Sequence, residues 1–340
     1  MRIGHNPNKD KPLTATTYTH QVVIPVYIPN QEDYFKDSFQ ILQYCMESLF
    51  KTCHTQTFFT VVNNGSCTEV RDYLDQLLAQ HKIHEVLHTH NIGKLNAILK
   101  GVVGHHFPLV TIADSDVLFL SHWQRATYAI FETFPKAGVV CPTPSSRSLR
   151  TFTANIYWDL FFSKKLKFSK VRNHDALKAF ALSVGDKNFY NEAQLLTHMT
   201  IADKEVSAVV GAGHFAATYR REVFQSLDKL QSSYVLGGDS ESQLLDIPVV
   251  KCGYWRLSTA DNFAYHMGNI KEAWMEKQIH RLEAQNTPKI PVLYPFKVQA
   301  KIANWIKNKL FAKLILNKRV LKHFLVWKGL PKLYKNHYLK

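Results

Sequence analysis

Pro108-Leu-Val-Thr-Ile-Ala-Asp-Ser-Asp116 is a run of apolar and β-branched residues that ends at two carboxylates. The apolar run predicts a buried β-strand. Extended backbone directs residues i and i+2 to the same side, so Asp114 and Asp116 should project together beyond the carboxyl end of that strand. Ligands bind at this end of open α/β sheets, and paired carboxylates suit Mg²⁺ or Mn²⁺. A three-residue pattern alone is more often a loop or a helix cap, so its neighbours decide its meaning.

Strands and helices alternate along the chain on both sides of this stretch. Before it, apolar periodicity predicts strands at residues 20–27, 57–62 and 85–90, and helices at 37–52, at 68–81 and directly after Gly93. After it, we predict strands at residues 139–144 and 249–257, two short strands and then a helix within 206–224, and a helix opening after Gly238. Residues 145–205 show no clear period and are expected to form a mostly helical and looped insertion. The alternation predicts an α/β fold with a parallel sheet.

The composition is that of a globular protein, with 46% hydrophobic and 20% charged residues in 340. No apolar run approaches the ~20 residues that span a bilayer. Scattered cysteines without a C-x-x-C pair favour a reducing compartment over a disulfide framework or a zinc site. They are Cys45, Cys53, Cys67, Cys141 and Cys252.

The net charge of +15 is concentrated in the last part of the chain. Residues 297–340 contain eleven Lys and one Arg and no acidic residue, whereas the preceding 296 residues carry only about +3. Apolar residues recur between these lysines, which predicts one or two amphipathic helices of the kind that lie on anionic membranes. Alternatively, the apolar side chains pack onto the rest of the chain and only the lysines face water. The apolar positions are Val298, Ile302, Trp305, Ile306, Leu310, Leu314, Leu321, Phe324 and Leu325.

Six short stretches occur together in a characteristic order. They are Val-Val-Ile-Pro-Val-Tyr27, Val-Val-Asn-Asn-Gly-Ser66, Asn-Ile-Gly-Lys-Leu-Asn-Ala97, Ala-Asp-Ser-Asp116, Gly-Gly-Asp-Ser-Glu241 and Tyr-His-Met-Gly-Asn269. Through them, residues 20–270 resemble family-2 nucleotide-sugar glycosyltransferases of the GT-A fold. The resemblance implies a Rossmann-like, mixed and mainly parallel sheet flanked by helices. A flexible lead-in (residues 1–19) would precede this domain and a basic helical segment (residues 271–340) would follow it, with residues 145–205 inserted on the acceptor side.

The resemblance also implies a nucleotide site. The base and ribose would lie against the end of the first strand and the turn after the second, at Pro25, Val26, Tyr27, Asn63 and Asn64. Relatives usually carry an aspartate in that turn, so the two asparagines leave the identity of the base open, and an ordinary tight turn is the alternative.

Lys94 lies near a helix N-terminus, where its charge and the helix dipole favour a diphosphate. A solvated surface lysine is the alternative. In the family pattern Asp114 would hold the ribose or reach the metal through water, and Ser115 would belong to the nucleotide site. Asp116 would bind the metal directly and His266 would be a further ligand, which Mn²⁺ accepts more readily than Mg²⁺.

The same pattern places a general base for the acceptor hydroxyl at the start of a helix. Asp239 is the first candidate and Glu241 the second, although Asp239 could simply cap its helix. Direct displacement with one base would invert the anomeric centre.

These features together predict a metal-dependent, inverting glycosyltransferase. A UDP-sugar would be its donor, and a glycan or lipid-linked saccharide its acceptor, in cell-surface polysaccharide synthesis on the cytoplasmic face of a membrane. A catalytically inactive nucleotide-sugar binder is one alternative. A basic nucleic-acid-binding protein is another, but the nearly neutral body and the lack of a recognition module disfavour it.

Overall fold

Ten strands form one sheet in the computed structural model, which describes residues 3–12, 16–227, 231–284, 289–294 and 301–339. Two more strands form a separate pair. The twelve strands of the described residues are β1 (His20–Val26), β2 (Thr57–Asn64), β3 (Glu85–Thr89), β4 (Leu109–Ala113), β5 (Val117–Phe119), β6 (Ala137–Cys141), β7 (Leu166–Lys170), β8 (Thr197–Asp203), β9 (Val206–Val210), β10 (Ala216–Arg220), β11 (Trp255–Thr259) and β12 (Ala264–His266). The α-helices are α1 (Ser38–Thr52), α2 (Thr68–Ala79), α3 (Lys94–Val102), α4 (Trp123–Thr133), α5 (Ala154–Asp159), α6 (His174–Ser183), α7 (Glu192–Leu196), α8 (Ile247–Lys251), α9 (Ala273–His280), α10 (Lys301–Trp305), α11 (Ala312–Ile315) and α12 (Lys318–Trp327).

The order of the large sheet is β3-β2-β1-β4-β10-β6-β11-β9-β8-β7. Its first four strands are parallel, β6 and β11 are also parallel, and the other neighbours are antiparallel. The predicted α/β class with a mixed sheet flanked by helices is confirmed. A separate antiparallel pair, β5 and β12, sets His266 opposite Val117, one residue beyond Asp116.

Strand β1 shows why the sheet needs helices on both faces. All seven of its residues are buried. Val22 and Ile24 belong to the core that includes α1, whereas Val23 packs with Leu95 and Ile98 of α3. This alternation is the two-residue period of a strand covered on both sides.

Three predicted elements differ in the structure. Residues 145–205 contribute β7 and β8 to the sheet in addition to helices. The strand predicted at 249–257 begins only at Trp255, because Pro248 starts α8 before it and short apolar runs fit a helix or a strand equally well. The helix predicted from Arg221 is a 3₁₀ segment, Arg221–Ser226.

The basic segment is helical, as predicted, and part of it packs on the body. Leu321, Phe324 and Leu325 are buried beside Tyr157, so for these three residues the packing alternative is correct. Lys297, Val298 and Lys340 lie outside the described residues, as do residues 1–2 and 13–15 of the predicted lead-in. Among the helices that the structure describes, none is long and apolar enough to cross a membrane.

Candidate active site

A cavity of about 390 Å³ opens at the carboxyl ends of β1, β2 and β4. Eight of the predicted site residues line it, namely Pro25, Val26, Tyr27, Asn64, Lys94, Asp114, Ser115 and Asp116. Two further aromatic residues, Tyr34 and Phe35, line the same wall, and the Tyr27 ring meets Phe35 edge-on at 5.9 Å between centroids. This wall gives an aromatic surface of the kind that packs against a planar base. Tyr34 and Phe35 were not predicted, because their short 3₁₀ turn carries no periodic pattern.

The two asparagines that end β2 have different positions. Asn63 is buried and braces the turn, since its Oδ1 accepts the Ser66 N–H at 2.9 Å and its amide nitrogen lies 3.0 Å from His88 Nδ1. Asn64 lines the cavity, and its Oδ1 accepts the Ile92 N–H at 2.9 Å. Asn64 therefore ties the end of β2 to the loop that leads into α3.

Lys94 begins α3 and lies between two carboxylates. Its Nζ is 2.7 Å from Asp114 Oδ1, donates to Asp114 Oδ2 at 3.0 Å and reaches Glu241 Oε1 at 3.3 Å. Burial opposes the charge, but the two carboxylates outweigh it and hold the pKa of Lys94 above its usual value. A permanent cation thus sits at a helix N-terminus inside the cavity.

Asp116, which lines the cavity, faces His266, which does not line it. Asp116 Oδ2 is 3.3 Å from His266 Nε2, and the other oxygen, Oδ1, is buried without a hydrogen-bond partner among the described residues. Burial raises the pKa of Asp116 to about 6, although His266 opposes the shift. An orphaned carboxylate oxygen next to an imidazole nitrogen is a donor set that fits Mn²⁺.

The third predicted metal ligand has another partner, because the Asp114 carboxylate is paired with Lys94. Within the part of the chain that the structure describes, no three His, Cys, Asp or Glu side chains converge closely enough to hold a metal by themselves. Divalent ions in phosphate-binding sites commonly take one or two carboxylates and complete their shell with phosphates and water. Asp116 and His266 could therefore hold a cation that arrives with a diphosphate.

The region 145–205 reaches this site through α6. Ser183, the last residue of α6, places its Oγ 2.9 Å from His266 Nδ1. A hydrogen bond from Nδ1–H to this hydroxyl leaves the Nε2 lone pair directed towards Asp116. Ser183 was not predicted, since 83 residues separate it from His266.

The two candidate bases differ in environment. Asp239 is exposed and has a left-handed backbone with φ of 58°, and its carbonyl accepts the Gln243 N–H at 3.0 Å. Glu241 reaches Lys94 with one oxygen, and its Oε2 lies 3.5 Å from His214 Nδ1. Neither residue lines the cavity itself, but Glu241 is joined to the Lys94 side chain that does.

A buried ion network behind Glu241 was missed by the sequence analysis. His214 Nε2 lies 2.7 Å from Asp246 Oδ1, and the same oxygen is 2.6 Å from Arg256. The side chains of Asp246 and Arg256 are each 1% exposed, so Asp246 fixes His214 from the interior. The Gly-Ala-Gly-His214 stretch between two short strands was the available signal, because a histidine after a glycine turn at strand ends often faces a site.

The loop 232–236 closes one side of the cavity. Val235 accepts the backbone N–H of Lys94 at 2.9 Å, and Asn96 exchanges two hydrogen bonds with the backbone of Ser232. Gly93 permits this contact, since it has φ of 89° and a Cβ there would lie 2.8 Å from the Tyr234 carbonyl oxygen. Val235 and Leu236 line the cavity while remaining largely exposed.

No protein-family model matches this sequence, and no curated protein matches it. Several solved structures have a similar chain path. One is the mannosyltransferase PcManGT from Pyrobaculum calidifontis in complex with GDP-Man and Mn²⁺. It has 13% sequence identity over 93% of this chain and 76% of that one, with a TM-score of 0.46. S. aureus TarS 1–349 in complex with UDP-GlcNAc has 12% identity over 94% of this chain and 70% of that one, with a TM-score of 0.43. GalNAc-T7 with UDP, GalNAc and Mn²⁺ has 12% identity over 73% of this chain and 44% of that one, with a TM-score of 0.45. At such identities and TM-scores, the chemistry of this protein has to be inferred from its own residues.

Proposed function

We propose that this protein is a metal-dependent glycosyltransferase that takes a sugar from a nucleotide-sugar donor. The observation that carries the proposal is the cavity at the ends of β1, β2 and β4. Its aromatic wall leads directly to a half-buried cation, Lys94, and to the Asp114-Ser-Asp116 carboxylates. An aromatic surface for a base and a cationic helix N-terminus for phosphates, side by side, suit a nucleoside diphosphate.

In this proposal the base packs near Tyr27 and Phe35, and the diphosphate meets Lys94 and the N-terminus of α3. Asp116 and His266 would hold Mn²⁺ or Mg²⁺, supported by the orphaned Asp116 oxygen. A divalent cation there would neutralise charge on the departing diphosphate. The donor base is proposed to be uracil, since UDP-sugars are the donors expected from the sequence resemblance.

Glu241 is proposed as the general base that accepts the proton of the acceptor hydroxyl. A diphosphate that competes for Lys94 would leave Glu241 paired with His214 alone, at the edge of the cavity. Asp239 is the second candidate, and its exposed side chain would have to turn towards the donor. A single base that assists direct attack on the anomeric carbon gives inversion of configuration.

The acceptor is proposed to be a glycan or a lipid-linked saccharide in cell-surface polysaccharide synthesis. The protein would act at the cytoplasmic face of a membrane, which the basic helical segment supports, since residues 301–339 contain ten basic and no acidic residues.

Release of nucleoside diphosphate from a panel of UDP- and GDP-sugars tests the proposal. We expect Mn²⁺-dependent release with at least one donor, lost on EDTA addition and in D116N, but retained in D72N, which changes an exposed aspartate of α2. Proton NMR of the product anomer would then test inversion. Release that is insensitive to both EDTA and D116N would overturn the metal role. Nucleotide binding without turnover of any donor would indicate an inactive binder.

A further inference from the structure

Exposed apolar side chains follow one line along the first part of the basic segment. Ile302, Trp305, Leu310 and Leu314 are between 54% and 74% exposed. The step of five residues from Trp305 to Leu310 would turn a regular α-helix about 140° off that line, at 100° per residue. Residues Ile306–Phe311 form a π-helix, in which residues five apart are hydrogen-bonded, as residues four apart are in an α-helix. Residues five apart therefore lie on the same side of a π-helix. The π turn therefore keeps the apolar residues on one side.

The loop after α5 extends this line with residues from a distant part of the chain. Phe162 is 86% exposed, and its ring lies 6.3 Å from that of Trp327, which is itself 54% exposed. The Phe161 ring lies 5.2 Å from the Trp327 ring and 6.2 Å from that of the partly buried Phe311, so Phe161 links the two exposed aromatic residues to the helical segment that carries the other apolar side chains. We call the six exposed residues Phe162, Ile302, Trp305, Leu310, Leu314 and Trp327 the aromatic-basic face.

Lys328 holds the two parts of this face together. Its Nζ donates to the carbonyl oxygens of Leu160 and Ser163, at 3.3 and 3.0 Å, and lies 4.3 Å from the Trp327 ring centroid. The side chain of Lys328 is nearly buried. The exposed Phe162 is thus presented by a loop with defined hydrogen bonds and not by a loose terminus.

The two chain segments that carry the face contain charges of a single sign. Residues 160–174 and 301–339 contain fifteen Lys and Arg residues and no Asp or Glu. Lys164, Lys309, Lys313 and Lys318 are exposed beside the apolar side chains. Large apolar side chains surrounded by basic residues complement a surface that is both anionic and apolar.

We propose that the aromatic-basic face docks on an anionic phospholipid bilayer, with its apolar side chains in the acyl boundary and its lysines at the headgroups. A second copy of the chain is a poorer occupant, because two such faces would repel each other. Nucleic acid is poorer as well, since Ile302, Leu310 and Leu314 cannot stack on bases. The aromatic-basic face specifies which part of the protein would contact the membrane that the proposed function involves. It does not depend on the transfer reaction, because vesicle binding is measured without nucleotide or metal.

Co-sedimentation with sucrose-loaded vesicles tests this surface on the full chain. The vesicles are phosphatidylcholine alone or with phosphatidylglycerol, and the variants are F162S and L314S, singly and combined. L78S is the matched control, because Leu78 is an exposed leucine of α2, which packs beside β3 at the opposite edge of the sheet from β7. Thermal melting confirms that each variant is folded.

We expect binding to the anionic vesicles that weakens with salt, a loss of about tenfold or more in the double variant, and no change in L78S. Failure of the wild-type protein to sediment, or equal binding by the double variant, would overturn the proposal. Self-association or oligonucleotide binding that persists in F162S, without vesicle binding, would also overturn it. None of these outcomes bears on nucleotide binding at the cavity.

Discussion

Replacement of His54 by glutamine should remove a defined part of the pH dependence of folding. His54 Nδ1 accepts the Gln56 N–H at 3.1 Å, so the proton of the neutral ring is on Nε2, 2.8 Å from the Tyr128 hydroxyl. Tyr128 in turn contacts His20 Nδ1 at 2.6 Å. A glutamine amide offers an acceptor oxygen and a donor NH₂ group in place of the acceptor and donor nitrogens of the neutral imidazole, but it does not titrate in this range.

The sign and size of the effect follow from the pKa of His54. Burial lowers this pKa from 6.5 to about 4, so between these values the unfolded chain binds more protons than the folded one. The stability that depends on a neutral His54 is complete above pH 6.5 and is lost as the pH falls towards 4. At pH 5 the loss amounts to about 2 kcal/mol. His20 acts in the same direction, because burial and then His54 lower its pKa.

Urea unfolding of the wild type and of H54Q at pH 7.5 and pH 5, followed by tryptophan fluorescence, measures how much His54 contributes to the pH dependence of the unfolding free energy. His20 also responds to the loss of His54, whereas groups away from this pair titrate alike in both proteins, so the difference in unfolding free energy reports the coupled His54–His20 pair. We expect the destabilisation caused by H54Q to shrink by about 2 kcal/mol from pH 7.5 to pH 5. A difference in unfolding free energy that does not change with pH would contradict a lowered pKa of His54 in the folded protein.

Five further substitutions test the site. K94M should raise the Kd for UDP about tenfold to hundredfold, because it removes a charged diphosphate contact, and calorimetry measures the change. E241Q should lower kcat by about 10²-fold or more while D239N lowers it less than about tenfold; the reverse order would make Asp239 the base. H214Q should lower kcat, since His214 contacts Glu241, and an unchanged kcat would show that His214 does not act through Glu241. G93A should destabilise the protein by about 1–3 kcal/mol in urea unfolding, because its φ is left-handed and its Cβ meets Tyr234; wild-type stability would contradict that contact.

The parallel half of the sheet was predictable because local patterns determine it. Strands β1 to β4 are short apolar runs bounded by turn residues, and the helices between them have one apolar stripe each. The carboxyl ends of parallel strands meet at one edge of the sheet, so Lys94 and Asp114 could be expected near each other. In the structure, Lys94 Nζ lies 2.7 Å from Asp114 Oδ1.

Contacts between distant antiparallel strands could not be predicted in this way. His214 precedes β10, and Arg256 lies on β11, with β6 between these strands. The pairing of both residues with Asp246 depends on that strand order, which no local pattern encodes. The basic segment poses a similar difficulty, because apolar periodicity marks Leu314 and Leu321 equally. Only the packing against the body shows that Leu321 is buried and Leu314 exposed.

We expect the cavity at the ends of β1, β2 and β4 to bind a nucleotide only when a divalent metal is present. Calorimetric titration of UDP into the wild-type protein with Mn²⁺, then with EDTA, and into D116N with Mn²⁺ tests it most directly. We predict binding in the first titration and a loss of binding in the other two, because Asp116 and His266 would hold the metal. Absence of UDP binding by the wild type with Mn²⁺, or equal binding in all three titrations, would contradict the account.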